Sequence, residues 1–135
     1  MRVVLDTNVL FSGLIIPESL PGRIVQAWRE ARFDLVFSEQ MLEEIRRILV
    51  YPKINKRLKW DVDEIERFLL LLRFKCVIVN PSPMTFEDLR DPDDAVILST
   101  LIDSDAEALI TGDEDLLILA NRYPILSPVQ FAKRL

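Results

Sequence analysis

Carboxylates are the side chains on which any chemistry in this chain must rest. The sequence holds 22 aspartates and glutamates and no histidine, which removes imidazole as general base, as metal ligand and as a member of a hydrolase triad. Its one cysteine, Cys76, lies in the apolar run Phe74 to Val79. A free thiol there behaves as a small buried hydrophobe, so neither an intrachain disulfide nor a thiolate metal cluster is possible. The acids that stand out are those placed where a buried scaffold ends. Asp6 follows the run Arg2 to Leu5, Glu44 sits inside a helical pattern, Asp91, Asp93 and Asp94 crowd a helix start, and Asp113 follows the run Ala108 to Thr111.

Four or five carboxylates facing one crevice repel and hold their protons tightly unless opposite charge neutralises them. A bound Mg²⁺ or Mn²⁺ does that, because hard oxygen ligands suit these ions. A cation held in this way activates water, polarises phosphorus and steadies a leaving oxygen. Without histidine, metal-assisted phosphodiester hydrolysis is the natural reaction for such a set. The formal net charge of -5 argues against binding nucleic acid through a broad basic face. If the substrate is RNA, cations mediate much of the contact. Lys53, Lys56, Arg57 and Lys59 form the local positive cluster, and it reads equally as a guide for RNA or as a solvated surface helix or turn.

The elements that must position these acids follow from apolar patterning. Arg2 to Leu5 is β-branched and apolar on both faces, as in a central parallel strand buried under helices. Similar short runs recur at Leu35 to Phe37, Cys76 to Val79, Ala108 to Thr111 and Ile125 to Leu126. Between them, Asn8 to Ile16 and Pro21 to Ala31 read as helices. Ser38 reads as the N-cap of a third, which ends at Tyr51-Pro52. Asp61 to Arg73 is a further helix, apolar around most of its circumference and so expected to meet two partners. Pro81 to Pro92 reads as a surface loop, after which Asp91 caps a helix with Pro92 at its first position. That helix ends at the Asp103-Ser104-Asp105 turn, and Leu116 to Tyr123 forms the next. Strands alternating with helices imply right-handed crossovers and a parallel sheet, an α/β class. No linker divides the chain, so one domain over residues 1–135 is expected. No run approaches the roughly 18 apolar residues of a membrane span, and Asp6 and Asn8 interrupt the N-terminus too early for a signal-peptide core. A soluble, cytoplasmic protein is the expectation.

In open parallel sheets ligands bind beyond the carboxyl ends of the strands. Asp6 and Asp113 both occupy such ends, and neighbouring strands lie about 4.8 Å apart, close enough for two carboxylates to share a cation. With about 100° per residue and Met41 at zero, the stripe Met41, Leu42, Ile45, Ile48 and Leu49 centres near 40°, with Glu44 roughly 100° and Glu43 roughly 160° away. Glu44 is thus a border residue able to lean into a cleft, while Glu43 and Arg47 face solvent. Asp94, three residues after the Asp91 cap and directly before the apolar stripe, is the acid of its group expected to point inward. Each has a plainer alternative. Asp6 can be a turn former, Glu44 a surface acid, Asp91 or Asp93 only a cap, Asp113 part of a turn with Gly112, and Asp115 the cap of the next helix. Trp28 and Trp60 are read as core or rim rather than base-stacking residues.

Asp6-Thr7-Asn8 after the first strand, Glu44 in the helix opening at Ser38, Asp94 beginning a helix, and Thr111-Gly112-Asp113-Glu114-Asp115 after a late strand together resemble the PIN domain, over nearly the whole chain. The resemblance implies a three-layer α/β/α fold with a central five-stranded parallel sheet, one or two Mg²⁺ or Mn²⁺ ions, and endonucleolytic cleavage of RNA. By position, Asp6, Glu44, Asp94 and Asp113 match the family's acidic quartet, Asp115 is an accessory acid, and Asn8 and Thr111 are polar supports. The stretches SEQMLEEIRRIL and TGDEDLL look closest to the toxin branch, which implies a homodimer and silencing by an antitoxin protein. Competing readings are a catalytically silent RNA- or protein-binding module, a haloacid-dehalogenase-like phosphatase with Asp6 as nucleophile, and a phospho-accepting receiver domain. The phosphatase wants a second aspartate where Asn8 stands and a catalytic lysine that is not evident. Neither the phosphatase nor the receiver predicts Glu44.

Overall fold

The computed structural model describes residues 1–82 and 84–135. Five strands, β1 (Arg2–Leu5), β2 (Asp34–Ser38), β3 (Val77–Val79), β4 (Ala108–Ile110) and β5 (Ile125–Leu126), form one sheet in the order β3-β2-β1-β4-β5. Every pairing is parallel, with Val3 opposite Leu35 on one side and Ala108 on the other. The central position of β1 explains its sequence: Val3, Val4 and Leu5 are fully buried, as a strand covered on both faces must be.

Helices α1 (Thr7–Ile15) and α2 (Leu20–Arg29) join β1 to β2, and α3 (Glu39–Leu49), α4 (Pro52–Leu58) and α5 (Val62–Lys75) join β2 to β3. Helix α6 (Pro92–Ser104) returns across β2 and β1 to β4, α7 (Glu114–Leu117) links β4 to β5, and α8 (Pro128–Ala132) follows. The chain steps outward from β1 to β3 and then reverses, so right-handed crossovers place the later helices on the opposite face. The result is the expected α/β/α arrangement. The reversal leaves β1 and β4 as neighbours whose connections leave in opposite directions, the topological switch point at which a crevice opens.

Several boundaries differ from expectation for local reasons. Helix α2 ends at Arg29 because Ala31 takes a left-handed backbone, φ 60°. The basic stretch is a helix, closed by Lys59 in the left-handed region at φ 59°. Helix α6 runs through Ser104 before Asp105 turns out at φ 54°. The expected helix from Leu116 to Tyr123 is instead the single turn α7 followed by tighter turns. There the amides of Leu119, Ala120 and Arg122 each reach back three residues, a 3₁₀ pattern that ends where Pro124 bars Tyr123 from helix. Helix α8 was not anticipated, although Ser127 and Gln130 form a full capping box with Pro128 inside it. Helix α5 packs one stripe, Ile65, Phe68, Leu69 and Leu72, on α3 and reaches α2 where Arg29 lies over Phe68. It is not buried all round, since Leu70 is 53% and Phe74 85% exposed. The Pro81 to Pro92 segment is a loop, with Pro83 outside the described residues.

Close approach of α1 and α2 depends on two glycines. A Cβ on Gly13 would lie 2.7 Å from the Pro21 carbonyl oxygen, and one on Gly22 would lie 2.1 Å from that of Pro17, whereas one on Gly112 would meet nothing within 4 Å. Gly22→Ala is therefore expected to cost at least about 1–3 kcal/mol of stability and Gly13→Ala a similar amount. Gly112→Ala leaves the melting temperature unchanged. Thermal melts of the three variants check this, and a Gly22→Ala protein as stable as the parent contradicts the packing described.

Candidate metal centre

Asp6 is built by the end of β1. Its amide donates to the Ile110 carbonyl at 2.9 Å, extending the β1–β4 ladder by one residue, and its own carbonyl accepts from Val9 and Leu10. It is thus the N-cap of α1. The carboxylate is held from two sides: the Thr111 hydroxyl donates to Oδ2 at 2.7 Å and the Asn8 amide to Oδ1 at 3.2 Å. Only 3% of Asp6 is exposed. Burial raises its pKa, the two hydrogen bonds pull it back, and the charge of Asp113 raises it again, for a net upward shift.

Asp113 stands across the switch point as the N-cap of α7, its Oδ1 accepting the Asp115 amide at 2.9 Å. The capping role considered for Asp115 therefore falls to Asp113. The Asp113 amide donates to Thr111 Oγ1 at 3.0 Å, so one buried hydroxyl ties the loops after β1 and β4 together. Asp91 caps α6 and accepts the Asp93 amide at 2.9 Å. Asp94, in the first turn, points inward and is 6% exposed, whereas Asp91 and Asp93 lie on the surface.

Carboxylate oxygens of Asp94, Asp113 and Asp115 all lie within 4.8 Å of one another. Burial pushes the Asp94 carboxyl up to about 7, helped by the charges of Asp113, Asp91 and Asp6 and by a hydrogen bond toward Asp113 that favours the protonated form. Glu44 stands outside this tight group but beside it. It is half-buried, as its helical phase requires, and accepts a long hydrogen bond, 3.5 Å, from the hydroxyl of buried Thr7. Its pKa is raised by burial and then by the charges of Asp93 and Asp6, against smaller lowering by Arg47 and Thr7. Thr7 and Asp93 are thus parts of the surroundings to which the sequence reading gave no role. The Asp-Thr-Asn triplet was the available signal for Thr7.

Carboxylate oxygens converge here, and among the described residues the ion pairs lie elsewhere, between Arg46 and Glu66, Arg73 and Glu39, and Arg122 and Asp88. Asp94, Asp113 and Asp115, crowded together and in no ion pair among the described residues, fit a hard divalent cation such as Mg²⁺ or Mn²⁺. A cleft of about 380 Å³ reaches the group, lined by Asn8, Val9, Ser12, Gly112 and Asp113 among others. Another groove, about 360 Å³, lies on the outer side of α6 against Phe86 and touches only Asp91 of these acids. Lys53, Lys56, Arg57 and Lys59 are exposed on and just after α4, which packs against α1 and α3. Trp28 is buried beneath Lys75, and half-buried Trp60 leans on Phe68, so both tryptophans are core or rim.

The raised carboxyls have a consequence in metal-free protein. Between pH about 4 and about 7 the unfolded chain loses the Asp94 proton while the folded chain keeps it, so stability falls as pH rises through that window and levels off above it. Asp6 and Glu44 act in the same direction. In chelator, the melting temperature is expected to drop over that range, and Asp94→Asn to flatten the drop and raise the melting temperature at pH 8. Mn²⁺ raises the melting temperature of the parent at pH 8 and does so less in the variant. A pH-independent melt for the parent in chelator removes the electrostatic account.

A profile of the PIN domain matches residues 2–115, which takes in every acid named above. An uncharacterised protein of Methanocaldococcus jannaschii is 35% identical over 125 residues, covering 91% of this chain and 79% of that protein. No helix among the described residues is long and apolar enough to cross a membrane. With the parallel sheet, the switch-point crevice and its carboxylates in place, the chain belongs to the PIN-domain family.

Proposed function

We propose that this chain is a metal-dependent endoribonuclease in which Asp6, Glu44, Asp94 and Asp113, with Asp115 as accessory, hold Mg²⁺ or Mn²⁺ against an RNA phosphate. The observation that carries this reading is the meeting of Asp94, Asp113 and Asp115 within 4.8 Å beside buried Asp6, in a chain whose family is one of nucleases. A bound divalent cation supplies charge to offset the attacking and leaving oxygens. The protein's own groups do the rest. Thr111 fixes the Asp6 carboxylate and the Asp113 backbone together. Gly112 and Asn8 leave an open wall through which a phosphate reaches the acids. Glu44, close enough to Asp93 and Asp6 for their charges to raise its pKa and hydrogen-bonded by Thr7, is the remaining acid of the set.

A phosphatase using Asp6 as nucleophile fits less well, because both oxygens of that carboxylate are tied by hydrogen bonds and the residue two positions on is Asn8. We place the protein in the cytoplasm as the toxin of a toxin-antitoxin pair, a reading supported by its resemblance to the toxin branch.

Purified protein with RNA and Mn²⁺ is expected to cleave endonucleolytically and to stop on chelation. Asp6→Asn lowers the rate at least about a hundred-fold, and Thr111→Val, which removes the tie but not the ligand, roughly ten- to a hundred-fold. Equal cleavage by parent and Asp6→Asn protein, or cleavage indifferent to chelator, rules the reading out. For the toxin role, induced expression halts growth with the parent and not with Asp6→Asn. Normal growth under strong expression of active parent counts against it.

A further inference from the structure

One face of α1, carrying Asn8, Ser12 and Ile15 at helical spacing and continued by the C-cap Ile16, runs away from the acids. The cleft at the acids, lined by Gly112, Asp113, Asn8 and Ser12, is continued by a second of about 160 Å³ lined by Ile15, Ile16, Ser19 and Arg57. Ser12 and Pro21 line both, so the two make one trough. It opens at Gly112, where a side chain would meet nothing, and ends at α4. That end is positive. Residues 51–60 hold Lys53, Lys56, Arg57 and Lys59 and no acid, and none of the four is in an ion pair among the described residues. Of the four, Arg57 alone lines the trough.

Resting on the nuclease reading above, we propose that this trough is the track of a single RNA strand, with a backbone phosphate upstream or downstream of the cleaved bond anchored on Arg57. A rise of about 1.5 Å per residue puts Ile15 about 11 Å from Asn8 along the helix. With an axial rise of about 3.4 Å per nucleotide in a stacked strand, that distance spans at most about three nucleotides, and fewer in an extended one. The guanidinium suits a phosphate by its forked donors. No aromatic side chain lines either cleft, so the bases find no stacking platform and the track reads backbone rather than sequence. Between Asp113 and Arg57 its walls carry no further charge, only Asn8, serines, prolines, Gly112 and the apolar Val9, Ile15 and Ile16.

The test is anisotropy of a labelled oligouridylate about twelve nucleotides long, with Mn²⁺ present, against salt, together with steady-state cleavage of the same strand. Arg57→Ala is expected to weaken binding and raise KM roughly ten-fold with kcat unchanged, and to lower the salt slope by about 0.7. Lys53→Ala, on the same helix but off the trough, changes both far less. Ser12→Glu, an exposed substitution midway along, weakens binding as Arg57→Ala does. A dinucleotide, too short to reach Arg57, is cleaved equally by parent and Arg57→Ala. Parent that cleaves RNA while Arg57→Ala and Ser12→Glu match it in KM and salt slope overturns the track and leaves the nuclease standing. Parent that binds without cleaving, with binding lost in both variants, supports the track and sinks the nuclease. Parent that neither binds nor cleaves overturns both.

Discussion

Concentrated negative charge at the switch point is the constraint around which the rest of this molecule is arranged. Asp6, Asp91 and Asp113 each start a helix, and each carboxylate accepts the backbone amide two residues on, from Asn8, Asp93 and Asp115. Each is therefore partly neutralised by the amide-rich end of its own helix, an effect of about 0.3–1 kcal/mol per site. That device works only where strands end and helices begin, which is why the acids sit in connections and not within the sheet. The strand order serves the same end, since placing β4 beside β1 brings Asp113 opposite Asp6 with Thr111 bonded to both loops.

Asp94 does not share this protection. It is the buried member of its helix start, the cap is Asp91, and three neighbouring carboxylates act on it. Its placement destabilises the folded chain without a cation and pays off only when one binds. Such a conflict between stability and a charged site is what a functional position shows. The surrounding core makes the conflict tolerable: Val3 to Leu5 of β1 and all of β4 beneath the crevice are apolar and buried, so the loops above cannot spread to relieve the repulsion.

The parts of this arrangement written in local pattern could be read from sequence. The strands carry short apolar runs, fully buried in β4 and, after the first residue, in β1 and β2, and half-buried in the edge strand β3, and even the two-residue β5 is visible as Ile125-Leu126. The half-buried place of Glu44 follows from helical period and the inward place of Asp94 from its position after the Asp91 cap, and both side chains are buried to the extent those readings require. What was not legible depends on neighbours distant in sequence. Thr7 meets Glu44 across 37 positions and Thr111 meets Asp6 across 105. Residues 116 to 123 have helical composition, but Pro124 ends the segment and packing beside β5 draws it into turns. Helix α8 was missed although its Ser127 and Gln130 capping box is a local signal, since five residues give too little periodicity to notice.

An acidic protein that takes a polyanion needs its charges separated in space rather than balanced in number. Physiological salt screens exposed charges beyond about 8 Å, and α1 from Asn8, beside the acids, to Ile15, beside Arg57, itself spans about 11 Å. Over that distance the cations of α4 keep a positive field of their own, despite a net charge of -5. On the proposed track, a strand meeting that end first is attracted before it feels the acids, and it reaches them only where divalent cations have reversed their sign. On the proposed reading, the helix that begins on Asp6 therefore sets the separation that makes binding and repulsion compatible.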